Sequence, residues 1–509
     1  MKKSIIMIGA GVAGLSAGCY GQMNGYDTQI FELHSQPGGL CTSWKRQGYV
    51  FDGCIHWLVG SKTGSSMNRI WQELGAAQGR QMVNHEEFTR FQSADGKAFI
   101  LYTNVDRLEQ HLKDLAPADE KAIRELCGQI RKFAKMGEGM MGEPAGGLLG
   151  KIKRALATAS LMPAMIKYGK MSIQTFAERF SDPFLRKALS GVFDISSSSS
   201  FPAIALLMTM AWQHNQDAGY PIGGSLAFAR AIERRYLDLG GQIHYRSRVD
   251  KILVEACPEP GRGARAVGVR LTDGSEHRAD VVISAADGHA TIFDMLEGKY
   301  ADDKIRGYYR DLPIFAPIVQ VSLGINRDLS GQPHSVQYEL PEALQIAGEA
   351  RRTIGFKHYG YDPTIAPAGK SVVTTMFPSS HAYWKELAEE PERYDAEKKD
   401  IAIKVIDQLE RRYPGVSEQV EAVDVATPLT FERYTGNWQG SMEGWLLTTE
   451  TMMMTVKGMD KTLPGLEDFY MVGQWVEPGG GLPPAATSGR GVIETICKKD
   501  DRPFVATTP

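Results

Sequence analysis

Near the N-terminus an apolar run, Ile5-Ile6-Met7-Ile8, passes directly into Gly9-Ala10-Gly11-Val12-Ala13-Gly14, and Glu32 closes the next apolar run, eighteen residues past Gly14. No other feature restricts the fold so tightly. Gly9 permits the tight turn out of a strand, Gly11 lets backbone amides approach a pyrophosphate, and Gly14 lets the helix opened by Val12 and Ala13 pack closely on the sheet. Gly18 repeats that small face one turn on. The pyrophosphate sits at the helix N-terminus, where the dipole favours negative charge, and Glu32 accepts hydrogen bonds from ribose hydroxyls. Strand, glycines, helix, the Asn24-Gly25 turn, a second strand (28–31) and the acid come in the order of a dinucleotide-binding β-α-β unit.

The 509 residues supply material for two or three domains. A net charge of −3 gives no concentrated basic surface, so nucleic acid is not expected as a partner. The six cysteines (Cys19, Cys41, Cys54, Cys127, Cys257 and Cys497) form no CxxC pair. They read as reduced thiols of a cytoplasmic protein without a metal site. Lys2-Lys3 ahead of an apolar stretch imitates a signal peptide, but the glycines interrupt that stretch at the spacing of a strand-to-helix turn. No apolar run reaches the length of a membrane span, and 201–212 suits a buried core helix instead.

Along the chain a nucleotide-binding domain is written in pieces, at 1–70, 220–300 and 430–509, around a substrate domain at 71–219 and 301–429. Residues 70–215 read as mostly helical. The spacing then predicts a helix over 225–239, short strands over 242–245 and 249–255, strands over 266–271 and 281–284, strands over 318–323 and 371–377, and a helix over 395–412. The strand 469–473 leads into Pro478-Gly479-Gly480-Gly481-Leu482-Pro483-Pro484 and a closing helix.

In this order, the Gly9–Gly14 cradle, Glu32, Gly38-Gly39-Leu40, Gly223-Gly224, the run from Ala279 to Asp287, and the strand through Gly473 into Gly480-Gly481-Leu482 resemble the landmarks of the flavin-dependent phytoene desaturase superfamily. That superfamily also holds carotenoid isomerases and retinol saturases. The resemblance implies an α/β chain with a discontinuous Rossmann-type domain holding FAD without a covalent link, and an inserted α+β substrate domain. It implies that the sheet starting near Val249 touches the adenine side, and that the last glycines lie along the flavin. Independently, glycines at 479–481 permit close backbone approach, and a helix starting near Pro483 aims its dipole at the ring end that becomes anionic on reduction.

Carbon–carbon redox chemistry on a flavin needs a dry cavity and few side chains. The family pattern places His56 close to the flavin, either as an acid–base group or as a histidine that orients its loop. Trp57 is a candidate cavity wall, Tyr359 lies in a polar-aromatic stretch that can face substrate, and Trp438 belongs to a glycine- and aromatic-rich segment, 434–445, that can cap the flavin cavity. From Pro144 to Ala177 there is no Asp or Glu, while Lys151, Lys153, Arg154, Lys167 and Lys170 alternate with apolar residues. That segment reads as a membrane-facing lid, peripheral on the inner face, or as a lid helix with a solvated basic face.

The reading is an FAD-dependent oxidoreductase that saturates, desaturates or isomerises carbon–carbon double bonds of a long apolar substrate: a polyene, isoprenoid or unsaturated lipid. With no second dinucleotide motif, the electron partner stays open. The rivals are a flavin amine oxidase, which shares the architecture, and a non-enzymatic lipid-binding escort of the same fold.

Overall fold

Five apolar segments far apart in sequence meet in one parallel sheet, ordered Gln242–His244, Asp27–Phe31, Ser4–Ile8, Val281–Ser284, Phe469–Met471. The computed structural model describes residues 2–140, 160–193, 201–257, 263–452, 454 and 458–509. Ile5 stands opposite Thr28 on one side and Val281 on the other. Because side chains alternate along a strand, Ile5, Met7 and Ile30 enter one core while Ile6, Ile8 and Phe31 enter another. Burial on both faces is what a parallel sheet requires. On the first face, helices Val12–Met23 and Leu482–Lys499 pack with no room between them. A Cβ at Gly489 would lie 2.4 Å from the Ala13 carbonyl oxygen, and one at Gly14 would lie 2.0 Å from that of Gly9.

The antiparallel strands Val249–Ala256, Ala264–Leu271 and Glu276–Arg278 cover the other face, joined by the short parallel strand Leu466–Glu467. A second large sheet has seven strands, ordered Val420–Ala426, Ile318–Ile325, Ser371–Pro378, Glu349–His358, Ser335–Ile346, Glu87–Gln92, Ala98–Tyr102. Its core packs against helices His381–Leu387 and Pro391–Glu410. A third core gathers helices Val105–Leu115, Glu120–Met140 and Ala203–His214 over the Phe91, Phe99 and Leu101 side chains.

Two departures from the sequence reading concern strands. The described part of 70–215 is mostly helical, but it also contributes the hairpin 87–102 to the seven-stranded sheet. The long hairpin 335–358, absent from the expected elements, turns at Ala347-Gly348, both at positive φ (49° and 78°). A non-glycine residue in that conformation gives the sequence no turn signal.

Of the basic segment 144–177, residues 144–159 lie outside the described residues. In the remainder, Leu161, Ala164 and Tyr168 face the core while Met162 and Ile166 are exposed, and Lys167 pairs with Glu125 at 2.9 Å. Among the described residues no helix is long and apolar enough to cross a membrane, and no cluster of His, Cys, Asp or Glu is arranged for a metal ion. All six cysteines are free thiols.

Candidate functional site

One cavity of about 1470 Å³ begins at the end of the parallel sheet and runs beneath the seven-stranded sheet into the helical layer. At its first end, Gly9 leaves the strand with φ of 99°, and Gly11 caps a helix that has no side-chain cap and no acid in its first turn. Its free amides and uncompensated dipole form an anion site. A Cβ on Gly11 would meet no protein atom within 4 Å, although Gly11 lines the cavity. The space before it is therefore left for something other than protein. Glu32 lines the same end. It is buried, accepts from the Ala10 amide (2.6 Å) and the His34 amide (2.8 Å), and burial raises its pKa against those hydrogen bonds.

Val12, Ala13, Gly38, Gly39, Leu40, Gly473, Gly480, Gly481 and Leu482 all line this cavity too. Gly481 caps the closing helix, which again lacks a side-chain cap and carries prolines in its first turn and no acid there. A second uncapped helix N-terminus thus opens on the cavity. Gly14 does not line it, since its role is the packing described above. Val249 does not line it either. It is buried beneath the rim against Leu271, two residues after Ser247, whose amide donates to the Glu32 carbonyl at 2.8 Å.

The middle of the cavity is built by the loop 53–57. Asp52, buried at the end of the strand Tyr49–Asp52, accepts from the Cys54 amide (3.0 Å), the Ser225 amide (2.7 Å) and the Ser225 hydroxyl (2.5 Å), while that hydroxyl accepts from the Ile55 amide (2.8 Å). This approach needs glycine at 224, where a Cβ would sit 2.2 Å from Asp52 Oδ2. So held, the loop presents His56 and Trp57 to the cavity, with Trp57 edge-on to Phe88 at 5.1 Å between ring centres. Burial, with a smaller push from Lys357, holds the His56 pKa well below the usual histidine range, so its ring is neutral. Its Nδ1 is buried with no hydrogen-bond partner.

Two of the expected cavity residues stand elsewhere. Tyr359 is core: only 2% exposed, it packs against Tyr220 and Tyr361 and does not line the cavity. Trp438 turns into a small surface pocket, stacked on His289 at 5.1 Å and packed against Tyr309 and Trp475, while its backbone amide donates to Asp287 (2.8 Å). From its segment the cavity takes Tyr434, Asn437, Met442 and Glu443 instead.

Two ionisable residues escaped the sequence reading. Glu443 lies against the last glycines, where a Cβ on Gly480 would fall 2.8 Å from its Oε2, and burial pushes its pKa up to about 7. Lys357 lines the cavity from the strand Glu349–His358, and burial pushes its pKa down to about 7, opposed by Asp52. Ile354, Phe356 and His358 take the buried face of that strand, so Lys357 falls on the other. Alternation could have placed it opposite the core, but nothing local says that the other face meets a cavity.

The flavin-containing amine oxidoreductase family matches the chain over residues 12–492. The chloroplastic prolycopene isomerase of Arabidopsis thaliana is 24% identical, covering 95% of this chain and 81% of that protein. The neurosporene-forming phytoene desaturase of Rhodobacter capsulatus is 25% identical, covering 96% and 93%. In structure, an oxidoreductase from Methanosarcina mazei superposes with a TM-score of 0.60 at 18% identity, over 96% of this chain and all of that one, which shows a shared fold.

Proposed function

The chain belongs to the flavin-containing amine oxidoreductase family, and on that premise we propose that it uses FAD to act on carbon–carbon double bonds of a long polyene or unsaturated lipid. The observation that carries this reading is the continuity of the cavity. One end is an anion cradle with an acid for the ribose, and the other is walled by Phe88, Phe193, Phe201, Ile204, Met208 and Trp212. Two relatives named for polyene isomerisation and desaturation match almost the whole chain, which supports the same substrate class.

When bound, FAD supplies hydride and electron transfer. The chain's residues do the rest. Gly11 and the amides after it take the pyrophosphate, and Glu32 takes the ribose. The aromatic and aliphatic wall excludes water and aligns the chain of the substrate. Glu443, beside Gly480, holds a carboxyl proton near neutral pH, and neutral His56 offers an imidazole nitrogen from the opposite wall; either can pass a proton at a ring or carboxyl atom. Gly11→Val puts side-chain atoms where the pyrophosphate belongs. The wild type is expected to purify with a flavin spectrum released on denaturation and the variant without one; a variant saturated with FAD overturns the cradle assignment.

A further inference from the structure

An apolar chamber for a pure hydrocarbon would have no use for a lysine, yet Lys357 faces this one. Among the described residues no carboxylate pairs with it, and Asp52, the acid whose charge acts on it, already spends its oxygens on Ser225 and Cys54. Around Lys357 stand three more cavity-lining donors: His56, His85 and His334. His85 and His334 are stacked at 3.6 Å between ring centres, and Tyr361 closes edge-on to His85 at 4.5 Å. His56 Nδ1 and His85 Nε2 are both buried without a hydrogen-bond partner. Buried polar atoms left unpaired are costly and uncommon, and a buried ammonium without an anion more so.

Lys357 lies on the seven-stranded sheet, His85 and His334 just before two of its strands and His56 on the loop 53–57, none at the helix N-terminus at Gly11, so the cluster is separate from that end of the cavity. Two other carboxylates that line the cavity have partners: Glu87 with Arg90 at 2.6 Å, Asp424 with Arg46 at 3.0 Å.

We propose that the substrate is an unsaturated apolar chain ending in a carboxylate, and that Lys357, with the free ring nitrogens of His56 and His85, is the anchor for that carboxylate. This rests on the double-bond reading above and names the substrate's polar end. One ammonium and two ring N–H donors match the acceptor capacity of two carboxylate oxygens. Burial pushes Lys357 down to about 7 and His85 to about 4, and a carboxylate between them would favour their charged forms.

The test uses FAD-loaded protein, with all-trans-retinoic acid and its methyl ester as probes that differ only at the end group. Binding is read from the flavin absorbance change, and turnover from the recovered polyene. The wild type should bind the acid roughly tenfold to a hundredfold more tightly than the ester. Lys357→Met should erase that preference while FAD content and melting temperature hold, and Lys357→Arg should restore part of it. Equal affinity for acid and ester in the wild type, or a preference that survives Lys357→Met, overturns the anchor. If the ester is nonetheless converted, the double-bond reading stands without it. If neither probe binds or changes, both fall.

Discussion

At the scale of single residues, the turn at Gly9, the uncapped helix start at Gly11 and the close packing at Gly14 were legible, because each answers to a backbone conformation or a close approach that few other residues satisfy. Tyr359 and Trp438 stand elsewhere because aromatic residues serve core and cavity equally well, and distant partners, His289, Tyr309 and Trp475, hold the Trp438 ring. Lys357 and Glu443 were missed because their chemistry comes from burial by distant segments. His56 is neutral in the cavity, so a proton role rests on its ring nitrogens and not on a charge. His56→Ala is expected to lower turnover by roughly 10²–10⁴-fold with FAD content unchanged; joint loss of flavin and stability would assign it to holding the loop. For Glu443 the sign follows from its raised pKa. Burial favours the protonated carboxyl, so its stabilising contribution is full below about 4.5 and is lost as pH rises through about 7. Glu443→Gln should therefore gain stability relative to wild type between pH 5 and 8, by on the order of 3 kcal/mol at most. Denaturant unfolding across that range checks it, and a difference that does not vary with pH contradicts it.

At the scale of elements, the strands 4–8, 27–31, 281–284 and 469–471 were readable as apolar runs bounded by turns, as a doubly covered parallel sheet demands. The hairpin 87–102 also carried a signal, in the alternation that buries Thr89 and Phe91 and in the Asp95-Gly96 turn, but it was submerged in a helical neighbourhood. The 335–358 hairpin carried none at its Ala347-Gly348 turn. What sequence could not reveal is how the first and last helices meet. Gly489 has the Ala13 carbonyl and the Ala17 amide at 2.4 and 2.7 Å from where its Cβ would be, both rigid backbone. Gly489→Ala must push the closing helix off the sheet, and with it the glycine turn 479–481. We expect a loss of roughly 1–3 kcal/mol or more together with weaker FAD retention, measured by thermal unfolding of the FAD-loaded protein and by flavin released on dialysis. Unchanged melting and retention would show that the two helices have slack.

At the scale of the whole molecule, distant chain segments contribute to one cavity: the end of the parallel sheet supplies the glycine turn, the seven-stranded sheet supplies Lys357, and the helical layer an apolar wall. The motifs are scattered because strands from both ends of the chain share one sheet, so the final glycines meet the first. The amine-oxidase alternative shares this architecture, so the kind of molecule that exchanges electrons or rearranges in the cavity is what separates the readings. The most direct test mixes FAD-loaded enzyme, oxidised and chemically reduced in turn, with a polyene under anaerobic conditions and analyses the recovered polyene by mass spectrometry and chromatography. The account predicts a polyene altered by two hydrogens or in double-bond geometry, dependent on the flavin and lost in Gly11→Val. A polyene recovered unchanged in both redox states, alongside an oxidised flavin reduced by an amine, would contradict it.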